Sequence, residues 1–303
     1  MNKNISPWNI GSSLYIPATH SDLVNIIINN KYSDLKSIII CLEDAVKIEE
    51  LAYAKQNLNN TIIKIEEKIQ NDPSYIDTLP FIFIRPRNTD VATWIIENIS
   101  LNYISGFVLP KFDITSIEKW WQIIKSSQLY IMPTLENHDV YNVLKMQALS
   151  DKLATHPCRE RILVIRIGGN DLMNGLRLRR DRDLTLYDGP IGYVIKMLVT
   201  VFSSNGFYLT APVCEHFENN DLLEKEVALD ILHGLVGKTI IHPNQLEIIT
   251  NSYMVSNNQY LEAQQILNAT EAVFKVNGSM CEPTTQYKWA IDIIERAEYF
   301  GIN

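Results

Sequence analysis

Short apolar segments of this sequence end repeatedly in charged or amide residues, and the clearest case is RILVIRIGGNDL at residues 161–172. Its β-branched first half is typical of a buried parallel strand, which is apolar on both faces. The glycine pair that follows lets the backbone turn sharply close to a ligand. Because α/β folds place their chemistry just beyond such strands, we expect Asp171 to help hold a divalent metal ion. Asp171 could instead cap the helix that follows.

Other apolar runs also end in residues that could do chemistry. These residues are His20, Glu43, Asp44, Arg85, Lys111, Glu136, Glu215 and His242. The interiors of the runs carry almost no charge, and Arg166 is one exception. In a barrel of parallel strands, all carboxyl ends open on one face, so residues far apart in the sequence converge on one pocket. This distribution indicates an enzyme.

The elements that must position these residues are apolar runs that alternate with amphipathic stretches. The runs are 13–16, 37–42, 81–84, 106–109, 129–135, 162–167, 207–213 and 237–241. This alternation predicts the α/β class and a single (β/α)8 TIM barrel with a C-terminal helical extension. A doubly wound open sheet is the rival, but no glycine-rich phosphate fingerprint follows the first run.

The predicted domains are a catalytic barrel over residues 1–255 and a helical extension or lid over residues 256–303. Helices are expected between the runs, the first over residues 22–30. Two more are expected near the end of the chain, over residues 259–275 and 286–300.

Composition excludes several function classes. The chain has 303 residues, of which 46% are hydrophobic, and a net charge of −8, which gives nucleic-acid binding no electrostatic support. Its four scattered cysteines argue against a zinc site or a disulfide framework. The amino terminus lacks an apolar signal core, and no apolar run approaches the ~20 residues that cross a bilayer. We therefore expect a cytoplasmic protein with neither a nucleic-acid nor a membrane partner.

Seven motifs in order resemble one superfamily. They are LYIPAT, ICLEDAV, FIRPR, VLPK, PTLE, GGNDL and GKTIIHPNQ. Together they look like the HpcH/HpaI aldolase and citrate lyase β-subunit superfamily, from about Leu14 to the end of the chain. GGNDLMNGLRLRR and LTAPVCE resemble more specifically the divergent carbon–carbon bond lyase branch associated with tellurite-resistance gene clusters. The resemblance implies a TIM barrel that forms a homo-oligomer, a trimer or a hexamer.

The resemblance also implies that Glu136 and Asp171 bind Mg²⁺ together. This ion prefers octahedral oxygen coordination and keeps positions for water or substrate oxygens. It would chelate an α-keto acid and stabilise an enolate while a C–C bond breaks or forms. Glu136 could instead cap a helix or form an ion pair.

Other strand-end residues match positions of the same motifs. Arg85 matches the arginine that grips a substrate carboxylate with its planar fork, although an ion pair with a nearby acid is equally compatible. Glu43 and Asp44 would line the site, and one could act as a base if burial raised its pKa. Structural ion pairing is their alternative. Lys111 would neutralise acids or contact substrate, or it lies at the surface.

A basic segment follows Asp171 and contains Arg177, Arg179, Arg180 and Arg182. We expect Arg179 and Arg180 to bind a phosphate or pyrophosphate, such as that of a coenzyme A thioester. The alternative is a solvated loop whose arginines pair with its own aspartates. Arg87 is interpreted as a surface or phosphate-facing residue.

Three further residues bear on the same comparison. His20 stands where many members of the superfamily have arginine, which puts coenzyme A binding at the first strand in doubt. His242 is interpreted as a structural histidine packed before a proline. Glu282 falls near the family's carboxyl-terminal lid segment, where a partner subunit would donate an acid.

The sequence therefore predicts a Mg²⁺-dependent carbon–carbon lyase or aldolase that acts on a short carboxylate or an acyl-CoA-type substrate. One alternative is a keto-acid aldolase that does not use coenzyme A. HpcH-type aldolases carry a base histidine in the loop after the second strand, where this chain has Glu43-Asp44-Ala45, which favours the citrate-lyase-like interpretation. The other alternative is a non-catalytic barrel that binds a phosphate-bearing ligand in a stress-response biosynthetic cluster.

Overall fold

The computed structural model describes residues 5–29, 31–32 and 34–303. The chain forms two compact units, Met1–Leu246 and Glu247–Asn303. The predicted domain boundary between residues 255 and 256 stays a prediction. Residue 30, which ends the first predicted helix, lies outside the described residues.

The strands of the first unit lie where the apolar runs predicted them. They are β1 (Gly11–Pro17), β2 (Ser37–Cys41), β3 (Phe81–Arg85), β4 (Ile104–Leu109), β5 (Tyr130–Leu135), β6 (Ile165–Ile167), β7 (Leu209–Thr210) and β8 (Gly237–Ile240). They form one parallel sheet in the order β7-β6-β5-β4-β3-β2-β1-β8. A bridge between Ala211 and Lys238 joins the two ends. The predicted TIM barrel is therefore confirmed.

Helices follow these strands around the barrel. They are α1 (Leu23–Ile28), α2 (Leu51–Asn71), α3 (Thr89–Asn98), α4 (Ile117–Ile124), α5 (Val143–Thr155), α6 (Gly169–Gly175), α7 (Pro190–Ser203), α8 (Asn220–Leu232) and α9 (Asn244–Ser252). In α2, buried residues recur at helical spacing, at Leu58, Ile62, Ile65 and Ile69, because one face packs on the barrel wall. No helix in the described part of the chain is long and apolar enough to span a membrane.

The register of the strands sets which side chains share a level in the barrel. Thr134 of β5 pairs with Arg166 of β6, and Leu135 pairs with Ile167. Glu136 therefore leaves β5 at the level where Gly168 leaves β6. Strand β2 is buried over its whole length, as the apolar, β-branched run predicted.

The second unit contains most of α9, two further helices and a β-hairpin. These further elements are α10 (Asn257–Asn268), β9 (Phe274–Val276), β10 (Ser279–Cys281) and α11 (Pro283–Phe300). The helix predicted over residues 259–275 was wrong in its second half, where β9 pairs antiparallel with β10. Asn277 and Gly278 have φ of 48° and 84°, as type I′ hairpin turns require. This Asn-Gly pair was the sequence signal for the hairpin.

Candidate active site

A cavity of about 650 Å³ lies at the carboxyl ends of the barrel strands. Asp44, Arg85, Glu136 and Asp171 line it, so four of the predicted site residues converge there. They come from the segments that follow β2, β5 and β6 and from the last residue of β3. The cavity thus collects polar ends of strands that are far apart in the sequence, as a barrel of parallel strands requires.

Arg85 lies at the centre of the acidic residues. Its Nη2 lies 2.8 Å from Glu43 Oε2, 2.9 Å from Glu136 Oε1 and 3.7 Å from Asp44 Oδ2. Its side chain is 11% exposed. Burial disfavours the charge of Arg85, but the Glu136 and Glu43 carboxylates attract it and keep its pKa above the ordinary value. The guanidinium is therefore a fixed cation in the cavity wall.

Glu136 is buried beside two hydrogen-bond donors. Its Oε1 accepts from Arg85 Nη2 at 2.9 Å and from the backbone N–H of Lys111 at 2.8 Å. Lys111 has φ of 49°, a left-handed conformation that is rare for residues other than glycine. Burial, with repulsion from Asp171 and Glu43, raises the pKa of Glu136 to about 7 despite both donors. A second cation near Glu136 would lower this pKa.

Gly168 allows β6 to pass beside Glu136. A Cβ at this position would lie 2.5 Å from Glu136 Oε2 and 2.4 Å from its Cβ. The residue before α6 must therefore be glycine. Asp171 follows in the first turn of α6, where Gly168 occupies the N-cap position and no side chain caps the helix. Asp171 is thus free of the capping role that was its alternative, and its charge acts on Glu136.

The donors at this point fit Mg²⁺. Glu136 and Asp171 offer two hard carboxylate groups, and Mg²⁺ is typically held by one or two carboxylates while water or substrate oxygens fill its other positions. Within the described ranges no three His, Cys, Asp or Glu residues come together as a metal site.

Glu43, Asp44 and Lys111 form the outer part of the cluster. Lys111 Nζ lies 2.9 Å from Glu43 Oε1 and 3.4 Å from Asp44 Oδ1. Burial raises the pKa of Glu43, and its hydrogen bond to Asp44 adds to this. The pKa of Asp44 is lowered: burial opposes this, but the hydrogen bond with Glu43 and the charge of Lys111 outweigh it. The two neighbouring acids therefore differ in protonation behaviour.

Arg87 has a role that the sequence interpretation missed. Its Nη2 donates to the backbone carbonyl of Glu43 at 3.1 Å and also to that of Val46. Arg87 therefore does not face a phosphate at the surface. It fixes the loop that carries Glu43 and Asp44.

The two arginines predicted to bind phosphate lie outside the cavity lining. Arg180 is 5% exposed, and its guanidinium pairs with Glu226 and donates to the Val213 carbonyl at 2.9 Å. Its charge is balanced inside the protein, which removes the geometric basis for phosphate binding by Arg180. Arg179 is exposed.

His20 and His242 are not among the residues that line this cavity. Exposed His20 accepts a hydrogen bond from the backbone of Asp22 at 3.1 Å. His242 stacks on Phe217 with ring centroids 4.7 Å apart, consistent with a structural histidine. Glu282 lies in the second unit, immediately before α11.

Several polar residues of the cavity lining were not predicted as site residues. Among them are Tyr15, Thr134, Arg166 and Thr239. Arg166 is 3% exposed inside the barrel. The signal for it was present in the sequence, because it is the charged residue within an otherwise apolar strand.

A family model described as C–C bond lyase of the TIM-barrel fold matches residues 4–302. No curated protein matches the sequence. Several solved structures are similar to this chain. CitE from Mycobacterium tuberculosis, in complex with magnesium, acetoacetate and coenzyme A, is 18% identical with a TM-score of 0.67, over 95% of this chain and 98% of that chain.

Two further structures have the same architecture. The citrate lyase beta subunit from M. tuberculosis, complexed with oxaloacetate and magnesium, is 17% identical with a TM-score of 0.57, over 81% of this chain and 98% of that chain. RipC from Yersinia pestis is 16% identical with a TM-score of 0.59, over 82% and 96%. At these identities the likeness shows the shared fold.

Proposed function

We infer the reaction from the premise that this chain belongs to the C–C bond lyase family of the TIM-barrel fold. We propose that it is Mg²⁺-dependent and that it breaks or forms a C–C bond in a short keto-acid substrate. The observation that carries this proposal is the arrangement of Arg85 between Glu43 and Glu136, in a cavity that Asp171 also lines. It combines a carboxylate-binding cation with two acids suited to Mg²⁺.

Glu136 and Asp171 would hold the metal. When bound, Mg²⁺ supplies a Lewis acid that withdraws electrons through the substrate oxygens next to the reacting bond. Magnesium accompanies acetoacetate in the CitE structure and oxaloacetate in the citrate lyase beta subunit structure, which supports this pairing of metal and small carboxylate.

Arg85 would bind the substrate carboxylate. Arginine suits this task because its guanidinium presents parallel N–H donors to both carboxylate oxygens. Glu43 holds Arg85 from the side at 2.8 Å, so the guanidinium is already oriented before substrate arrives. Such preorganisation lowers the entropy that is lost on binding.

The proposed base is one of the two neighbouring acids Glu43 and Asp44. Burial raises the pKa of Glu43, as a base that works near neutral pH requires, whereas Asp44 lines the cavity and its pKa is lowered. Adjacent carboxylates whose pKa values are pushed apart are typical of acid–base pairs in enzymes. Lys111 contacts both acids and would keep Asp44 ionised when substrate fills the cavity.

The geometry favours a free carboxylate substrate over a coenzyme A thioester. Arg180, one of the two predicted phosphate ligands, is engaged with Glu226. His20 stands exposed where the superfamily resemblance called for an arginine. A screen of free keto acids against acyl-thioesters separates the two substrate classes.

Calorimetric titration with Mg²⁺ tests the metal site. Glu136→Gln and Asp171→Asn are each expected to weaken Mg²⁺ binding by more than about 100-fold. Loss of a residue that only orients a metal ligand costs about 10–100-fold, and loss of a carboxylate that binds the metal directly should cost more. Asp221→Asn is the matched control, since Asp221 lies in the first turn of α8, outside the cavity lining. Full Mg²⁺ affinity in Asp171→Asn would contradict the proposal.

A further inference from the structure

Arg166 is a buried cation whose described contacts are neutral. Its Nη2 donates to Thr239 Oγ1 at 2.5 Å, and its Nη1 lies 3.8 Å from Met132 Sδ. Its guanidinium carbon lies 5.4 Å from the centre of the Tyr15 ring. These contacts orient the guanidinium inside the barrel but supply no negative charge.

Three acids of the cavity cluster, Glu43, Asp44 and Glu136, are engaged with other cations. Glu43 and Glu136 pair with Arg85, and Lys111 pairs with Glu43 and Asp44. Among the ion pairs of the described residues, none includes Arg166. Burying a charge without a counter-ion is costly, so this arrangement points to an anion supplied by a ligand.

Thr134 provides an independent second observation. It lies on β5 directly beside Arg166 in the strand register, and it is 3% exposed. Its Oγ1 is buried without a hydrogen-bond partner in the part of the chain that the structure describes. Both side chains line the cavity. A hydroxyl donor and a guanidinium at one level match the donors that a carboxylate accepts.

The position of Arg166 and Thr134 along their strands indicates the length of the ligand. Glu136 follows Thr134 by two positions, and a strand rises about 3.3 Å per residue, so the backbone of Thr134 lies about 7 Å below that of Glu136. A carboxylate bound at Arg85 and a second one bound at Arg166 would therefore belong to one short molecule.

We propose that Arg166 and Thr134 form a second anion subsite at the floor of the cavity, and that it takes the second carboxylate of a short 2-oxo dicarboxylate. This inference rests on the proposed function, because it assumes that the first carboxylate binds at Arg85. It makes Arg166 the residue that selects diacids over monoacids.

Binding of matched acids in the presence of Mg²⁺ tests the subsite. The pairs are 2-oxoglutarate against 2-oxopentanoate and oxaloacetate against 2-oxobutanoate, which differ by the second carboxylate at equal chain length. The wild type is expected to bind the diacid of at least one pair about 10–100-fold more tightly, the range of a charge-assisted hydrogen bond. Arg166→Met should remove this preference and leave monoacid binding unchanged.

Three further variants keep the test decisive. Thr134→Val removes the hydroxyl at nearly constant shape and should reduce diacid preference by about 2–10-fold. Arg166→Lys keeps the charge but loses the fork, and it replaces Arg166→Met if circular dichroism shows that the latter is unfolded. Arg161→Met is the control, because Arg161 lies outside the cavity lining and donates to the Ser127 carbonyl.

The outcomes separate the two proposals. Equal binding of diacid and monoacid by the wild type, or equal weakening of both by Arg166→Met, overturns the subsite and leaves the proposed function standing. Absence of Mg²⁺-dependent binding of every acid overturns the proposed function and the subsite with it.

Discussion

Two clusters of opposite charges lie in the barrel unit, one beside the cavity described above and one buried around α8. The cavity cluster consists of Arg85, Lys111 and the acids Glu43, Asp44, Glu136 and Asp171. The α8 ion cluster consists of Arg180, Lys238, Glu226 and Asp230. Each has an arginine and a lysine, so residue types alone do not distinguish them.

The α8 ion cluster is closed. Lys238 Nζ lies 2.8 Å from Glu226 Oε1 and 2.7 Å from Asp230 Oδ2, and the side chains of all three are no more than 1% exposed. Arg180 pairs with Glu226, and Tyr187 donates its hydroxyl to Asp230 at 2.7 Å. Every charge has a partner, so the cluster ties the segment before α7 to α8 and β8.

The cavity cluster is open. The side chain of Lys111 is 53% exposed, and the pKa of Glu136 is raised to about 7. Asp171 enters none of the ion pairs that the described residues form. Both clusters contain ion pairs, so ion pairs alone do not indicate a binding site. A charged group beside a cavity that lacks a counter-ion does indicate one.

Disruption of the α8 ion cluster is expected to have the largest effect on stability. Lys238→Met leaves Asp230 without its lysine and Glu226 with only Arg180, so the free energy of unfolding should fall by about 3–5 kcal/mol. Urea denaturation at neutral pH measures this loss. A loss below about 1 kcal/mol would show that the cluster does not stabilise the fold.

The pH dependence of the closed cluster is the next largest effect. Burial alone would raise the pKa of Glu226, but Lys238 and Arg180 outweigh it and lower the pKa to about 2 from an ordinary 4.5. The stabilisation is therefore present above pH 4.5 and is lost as the pH falls toward 2. By linkage it amounts to about 3 kcal/mol.

Comparison of wild type with Glu226→Gln isolates this dependence. Their difference in unfolding free energy should shrink by about 3 kcal/mol between pH 5 and pH 2. The pKa of Asp230 is raised by burial and acts in the opposite sense, so the difference is a better readout than the wild-type curve. A difference that is constant with pH would count against the ion pairing of Glu226.

Gly168→Ala tests the cavity cluster. The added Cβ would lie 2.5 Å from Glu136 Oε2, so Glu136 must move, and overpacking should cost about 1–3 kcal/mol of stability. Mg²⁺ affinity should fall by at least about tenfold, as with loss of an orienting residue. Gly189→Ala is the control, because a Cβ there meets no atom within 4 Å. Unchanged Mg²⁺ affinity in Gly168→Ala would contradict the assignment of Glu136 as a metal ligand.

Lys111→Met should have the smallest effect on stability. Lys111 is half exposed, and exposed ion pairs contribute about 0–1 kcal/mol. Urea denaturation of Lys111→Met and Lys238→Met, measured side by side, compares the same substitution in the two clusters. Equal losses in both variants would remove the distinction between open and closed clusters.

Much of the fold could be predicted because its signals are local. Apolar runs gave the eight strands, and their alternation with helices gave the barrel and, with the motifs, the family that the comparison confirmed. The convergence of Arg85, Glu136 and Asp171 also followed, because parallel strands open their carboxyl ends on one face. The hairpin at Asn277-Gly278 was missed although its turn signal was local.

The pattern of strands and the residues at their ends could be read from the sequence, since apolar periodicity and turn chemistry act over a few neighbouring residues. The tertiary structure alone decided the partner of each charge. Arg180 pairs with Glu226, which lies 46 positions later in the sequence, and Arg166 contacts neutral groups inside the barrel. Strand register and helix packing set these pairings, and no local pattern encodes them. The same type of residue therefore became structural in one place and a candidate ligand contact in the other.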